Sequence, residues 1–146
     1  MEDIIKEKIS ADHLLYVSLK YTKTCDVIYN LLLRWKNMIE TSLNALLRHS
    51  KEKGKLKVIP ENSVKKVEEI KNLFKRDKNL RQVLEFYEML RKVESLRTER
   101  IGEFRKNVSL KISYKGDLIE VNLEKLKEYA EMLEKFISTT KQFLLS

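Results

Sequence analysis

The chain has 146 residues, 30 Lys or Arg against 22 Asp or Glu, and a formal charge of +8. That length fits one domain, residues 1–146, large enough to bury a core without disulfides. A single Cys excludes an internal disulfide and a thiolate zinc cluster, two His exclude a His-rich metal site, and three Gly exclude a glycine-rich phosphate loop. No apolar run reaches the ~18 residues of a membrane span, and Met1-Glu2-Asp3-Ile4-Ile5-Lys6 has no signal-peptide pattern. A cytoplasmic protein without membrane, metal or cofactor is expected. Its 36% charged residues, mostly Lys and Glu, match a thermophile-like composition.

Breakers are sparse, so the pattern predicts an all-α fold: a four- to five-helix bundle with a short β-hairpin before the last helix. From Ser10, a candidate N-cap, to Lys53 the apolar residues recur at helical spacing. Leu14, Tyr21, Ile28 and Trp35 form one row, Leu32, Ile39 and Leu46 a second, and Leu31, Met38 and Ala45 a third. A continuous helix there would be ~60 Å long, so a break is expected between Thr22 and Asp26. The apolar surface from Val27 to Trp35 wraps most of the helix, which points to a central helix or to a homodimer interface.

Pro60 is placed at the first position of a second helix, with Val64, Val67, Ile70 and Leu73 on its apolar side and its end near Arg76. A third helix is expected from Asn79 to about Phe104. Beyond it the period becomes two: Val108, Leu110, Ile112 and Tyr114 alternate with polar residues, Lys115-Gly116-Asp117 turns the chain, and Leu118, Ile119 and Val121 follow. Asn122 then caps a last helix with Leu126, Leu133, Phe136 and Ile137 in its apolar stripe.

Basic residues concentrate in the middle of the chain. Arg91, Lys92, Arg97, Arg100, Arg105 and Lys106 form the densest cluster. On a helix they would ring the axis, within reach of Glu94, Glu99 and Glu103 at three- and four-residue spacing, as a solvated, salt-bridged face. Anion or nucleic-acid binding through Arg97, Arg100, Arg105 and Lys106 is the alternative. His13 and His49 have no metal-type partner at helical spacing, and the charge of His49 suits a helix C-terminus. Cys25 reads as a small core residue. Tyr16, Tyr21, Tyr29, Trp35, Phe86, Tyr87 and Tyr129 follow the apolar rows and read as core or interface aromatics rather than as a base-stacking set. Asp12, Asp26 and Glu40 are too widely spaced to share a proton or a metal, so no catalytic residue is assigned.

The long apolar first helix, together with Glu103-Phe104-Arg105-Lys106-Asn107-Val108-Ser109-Leu110 before a final helix, resembles the HEPN domains. These are helical bundles that usually dimerise, many of them ribonuclease toxins or partners of nucleotidyltransferase antitoxins. The resemblance implies that Arg105 begins the family's Arg-polar-x-x-x-His motif. Ser109, Leu110 and Lys111 stand where the His would follow, so the motif lacks the group that assists attack on the phosphate. The resemblance thus implies a binding module without nuclease activity, taking RNA, a nucleotide or an antitoxin-type protein partner. A metal-independent ribonuclease and a structural helical adaptor are the alternatives.

Overall fold

The computed structural model describes residues 1–146 and is 68% helical. Helix α1 (Glu2–His13) runs without a break through a π-helical stretch (Leu14–Ser18) into the short α2 (Leu19–Tyr21). After Thr22–Thr24 come α3 (Cys25–Glu52), α4 (Ser63–Leu73) and α5 (Lys78–Lys92), which ends in a 3-10 turn (Val93–Ser95). Strands β1 (Thr98–Ile101), β2 (Ser109–Tyr114) and β3 (Asp117–Asn122) precede α6 (Leu123–Leu145).

Helix α3 is the axis of the molecule, contacted by α1, α4, α5, α6 and β2. Ile28, Leu31, Leu32, Trp35, Met38, Ile39, Leu43, Leu46 and Leu47 are all buried within the one chain. Its apolar rows are therefore consumed by intramolecular packing, and a homodimer would have to form through another surface. Exposed Ile5, Ile9 and Val17 on the α1–π stretch are apolar residues that no neighbouring element covers. Trp35 meets Phe86 and Tyr129 edge-on, at 6.0 and 6.3 Å between ring centroids.

The expected break is present, and its chemistry is local. Thr22 and Thr24 are extended, and the Thr24 hydroxyl accepts the Val27 N–H at 3.3 Å, capping α3 with Asp26 in the first turn. The start at Ser10 is corrected: α1 already begins at Glu2, because Ile4, Ala11, Leu15 and Leu19 form their own buried stripe against α3. The break also ends the Leu14–Tyr21–Ile28 row, and Tyr21 is 79% exposed. Pro60 lies outside α4, whose cap is Asn62, with Oδ1 accepting the Val64 N–H at 2.7 Å.

The largest correction concerns the third helix, which stops at Lys92 instead of Phe104. Residues 98–101 instead pair antiparallel with β2, Arg100 opposite Leu110 and Ile101 opposite Ser109, in a sheet of order β1-β2-β3. Two strands leave one edge of β2 with unpaired backbone groups. Thr98–Ile101 satisfies that edge, whereas a helix continued through Glu94–Glu103 would have almost no apolar face to bury. The fold is thus helix-dominated with a small three-stranded sheet, not a pure bundle. The β2–β3 hairpin forms as expected, and the Asn122 side chain accepts the Lys125 N–H at 2.8 Å as the cap of α6.

Candidate nucleic-acid interface

Because residues 97–106 are not helical, the four basic residues read from the sequence do not ring one axis. Arg97 precedes β1, with its carbonyl accepting the Ser113 N–H. Arg100 lies in β1, two residues before the 102–107 turn that carries Arg105 and Lys106. The structure keeps Arg105 and Lys106 together and sets Arg97 at the other end of the strand.

Arg100 is exposed but paired within the chain. Its guanidinium is 2.6 Å from Asp26 and 3.8 Å from Glu103, and the hydrogen bond and charge of Asp26 hold it further into its protonated range. Glu103 in turn accepts the Cys25 N–H at 3.2 and 3.3 Å, at the first turn of α3. The Cys25 thiol is buried, donates to the Ser109 carbonyl at 3.3 Å, and is pushed up by burial and then by Glu103. Phe104 N–H donates to the Lys23 carbonyl at 2.6 Å. These contacts fasten the 102–107 turn to the α2–α3 junction.

That fastening assembles a basic face that the sequence did not disclose. Tyr16, Lys20, Lys23 and Lys127 line a cleft of about 270 Å³ between the π-helical stretch and the start of α6, floored by Leu15, Leu19 and Leu123. No carboxylate lines it. Arg105 and Lys106 are exposed on the turn docked at Lys23. Lys20, Lys23, Lys127, Arg105 and Lys106 form none of the ion pairs that neutralise Lys8, Arg34, Lys71, Arg100 and Lys125. Three large aromatic side chains stand out on the cleft and its adjoining junction: Tyr16 at 58% exposure, Tyr21 at 79% and Phe104 at 75%. Of the core or interface reading, the core half is corrected for Tyr16 and Tyr21, which lie at the surface, and Phe104, expected at the end of the third helix, is exposed on a turn. The Thr-Lys-Thr break and Gly102 were the sequence signals that could have revealed this.

A second concavity, about 500 Å³, opens between α5, α6 and the hairpin. Phe86 stacks on Tyr129 at 4.1 Å, and Met89, Tyr114, Ile119 and Met132 complete its apolar wall. Its Lys125 lies over the Tyr129 ring at 5.3 Å and 3.5 Å from Glu128.

The histidines join neither concavity. His49 packs against the Phe143 ring at 4.9 Å, about 36 Å along α3 from Cys25, and His13 is exposed in the last turn of α1. No group of three His, Cys, Asp or Glu side chains is placed to hold a metal ion, and no helix is long and apolar enough to cross a membrane. Comparison with family models, characterised proteins and solved structures gave no match, so the chemistry of the cleft rests on its own residues.

Proposed function

We propose that the protein is a HEPN-like binding module without nuclease activity that holds the phosphate backbone of RNA across the basic cleft. One observation carries this reading: three lysines line a cleft free of carboxylates, beside a turn, hydrogen-bonded to Lys23, that exposes Arg105 and Lys106. Ammonium and guanidinium groups that no carboxylate neutralises can meet successive phosphates and release their counterions, which supplies affinity without base readout. Lys20, Lys23, Lys127, Arg105 and Lys106 are the contacting residues. Arg100 is a positioning residue, holding the turn through Asp26 and Glu103.

A salt titration of labelled oligouridylate in chelator tests the reading. Five single-strand phosphate contacts predict a slope of log K against log salt of about −3.5, and replacing Lys20, Lys23 and Lys127 by Ala should reduce its magnitude by about 2. An unchanged slope in the folded triple variant overturns the assignment. RNA recovered intact agrees with a binding module. Cleavage lost in that variant would make the protein a metal-independent ribonuclease, and no binding at low salt would leave a structural adaptor.

A further inference from the structure

We propose that Phe104 is a stacking platform for an unpaired nucleobase, so that the ligand of the basic face is single-stranded rather than duplex nucleic acid. The inference rests on the phosphate-binding reading of the same face and adds the chemistry of its specificity.

Phe104 combines two unfavourable features. Its backbone has φ 66°, in the left-handed region that a bulky side chain avoids. Its ring is 75% exposed, so the conformation does not serve to bury it. Strain that persists must be imposed by the surroundings, and here the surroundings are specific. Phe104 N–H is held by the Lys23 carbonyl at 2.6 Å, Arg105 N–H by the Gly102 carbonyl at 2.9 Å, and Val108 N–H by the Arg105 carbonyl at 3.0 Å. Gly102 is itself left-handed at φ 66°, with Asn107 packed where a Cβ would lie. Glu103 is tied to Cys25 on one side and Arg100 on the other. The turn is over-determined, and what it presents to solvent is an aromatic face.

Its neighbours identify the ligand. Arg105 and Lys106 follow it on the same exposed turn, its N–H is held by the Lys23 carbonyl, and Tyr21, two residues before Lys23, offers a second exposed ring. Aromatic rings set among cations that track a backbone bind single strands, whose bases present free π-faces. In a duplex those faces are already stacked and paired. An unlike-charged protein patch would meet the cations but leave the displayed ring without a stacking partner.

The test uses the full chain, an oligouridylate carrying one 2-aminopurine, a blunt hairpin duplex of equal charge, and inorganic polyphosphate. Phe104→Gly removes the ring and relieves the left-handed strain; Phe104→Trp keeps a ring. Phe104→Gly should melt at a higher temperature yet bind oligouridylate roughly tenfold more weakly, with polyphosphate affinity unchanged. Phe104→Trp should retain oligouridylate binding, and 2-aminopurine should be quenched by the wild type and by Phe104→Trp only. Equal oligouridylate affinity in wild type and Phe104→Gly, or a wild-type preference for the duplex, overturns the stacking role while polyphosphate binding still supports the phosphate reading. Failure to bind polyphosphate and oligouridylate alike overturns both.

Discussion

The two concavities share a helix and differ in what they do with charge. On α6, Lys125 faces the aromatic groove and is answered by Glu128 and the Tyr129 ring. Lys127, two residues on and around the helix, faces the basic cleft, where no carboxylate lines the wall. The groove satisfies its own cation and gathers rings around Trp35, the pattern of an element that holds the fold together. In the cleft Lys23 Nζ donates to the Lys20 carbonyl at 2.8 Å and Lys20 lies over the Tyr21 ring at 5.9 Å, but no carboxylate neutralises either charge, which attracts an anion from outside. The groove is lined by one lysine and two glutamates, the cleft by three lysines and no carboxylate.

The sharpest way to test that division is to empty the groove. Phe86 is buried and stacked on Tyr129, so Phe86→Ala should cost about 3–5 kcal/mol of stability by calorimetry. The salt slope for RNA should stay as in the wild type wherever the variant remains folded. A parallel loss of RNA affinity at those temperatures would show that the groove belongs to the binding face.

A smaller effect is expected from the turn. At Gly102, with φ 66°, an added Cβ would meet Asn107 Oδ1 at 2.7 Å and its carbonyl oxygen at 2.9 Å. Gly102→Ala should therefore cost about 1–3 kcal/mol in urea denaturation. Unlike Phe86→Ala, it should also weaken RNA binding, because it moves Phe104, Arg105 and Lys106. Retained affinity would mean that the turn is not part of the face.

The mildest contrast is alkaline. Burial, then the charge of Glu128, raises the Tyr129 phenol in the groove. Between α3 and α5, burial and then Glu40, which accepts the Tyr87 hydroxyl at 3.1 Å, push Tyr87 up to about 12. Since the unfolded phenols ionise near pH 10, ionisation favours the unfolded chain. Stability from these groups is complete below about pH 10 and is lost as pH rises toward 12. Denaturation curves should record that loss, and Tyr87→Phe should flatten it at a neutral-pH cost of about 1 kcal/mol. An equally steep decline in Tyr87→Phe would remove Tyr87 from the account.

Much of this architecture is legible in the sequence where one element decides for itself. The α3 rows, the β2–β3 hairpin and the Asn122 cap follow from periodicity and capping chemistry. Residues 94–104 did not, because their conformation is decided by the open edge of β2, which local spacing cannot report. The site followed the same rule. Arg105 and Lys106 were visible as charges, but Arg100 looked equivalent until Asp26, 74 residues earlier, appeared beside it. Lys20, Lys23 and Lys127 belong to segments a hundred residues apart and carry no motif in common.

The staple from the 102–107 turn to the α2–α3 junction therefore has a temporal consequence. Glu103 reaches Cys25 across 78 residues and Ser109 reaches it across 84. Contacts of that separation form late and slowly, after local helices. During synthesis α1, α3 and α5 can assemble while the basic face does not yet exist. It comes into being only when the sheet closes over the start of α3 and α6 follows, so a chain interrupted before β2 would carry Lys20 and Lys23 without Lys127 or the surface they share.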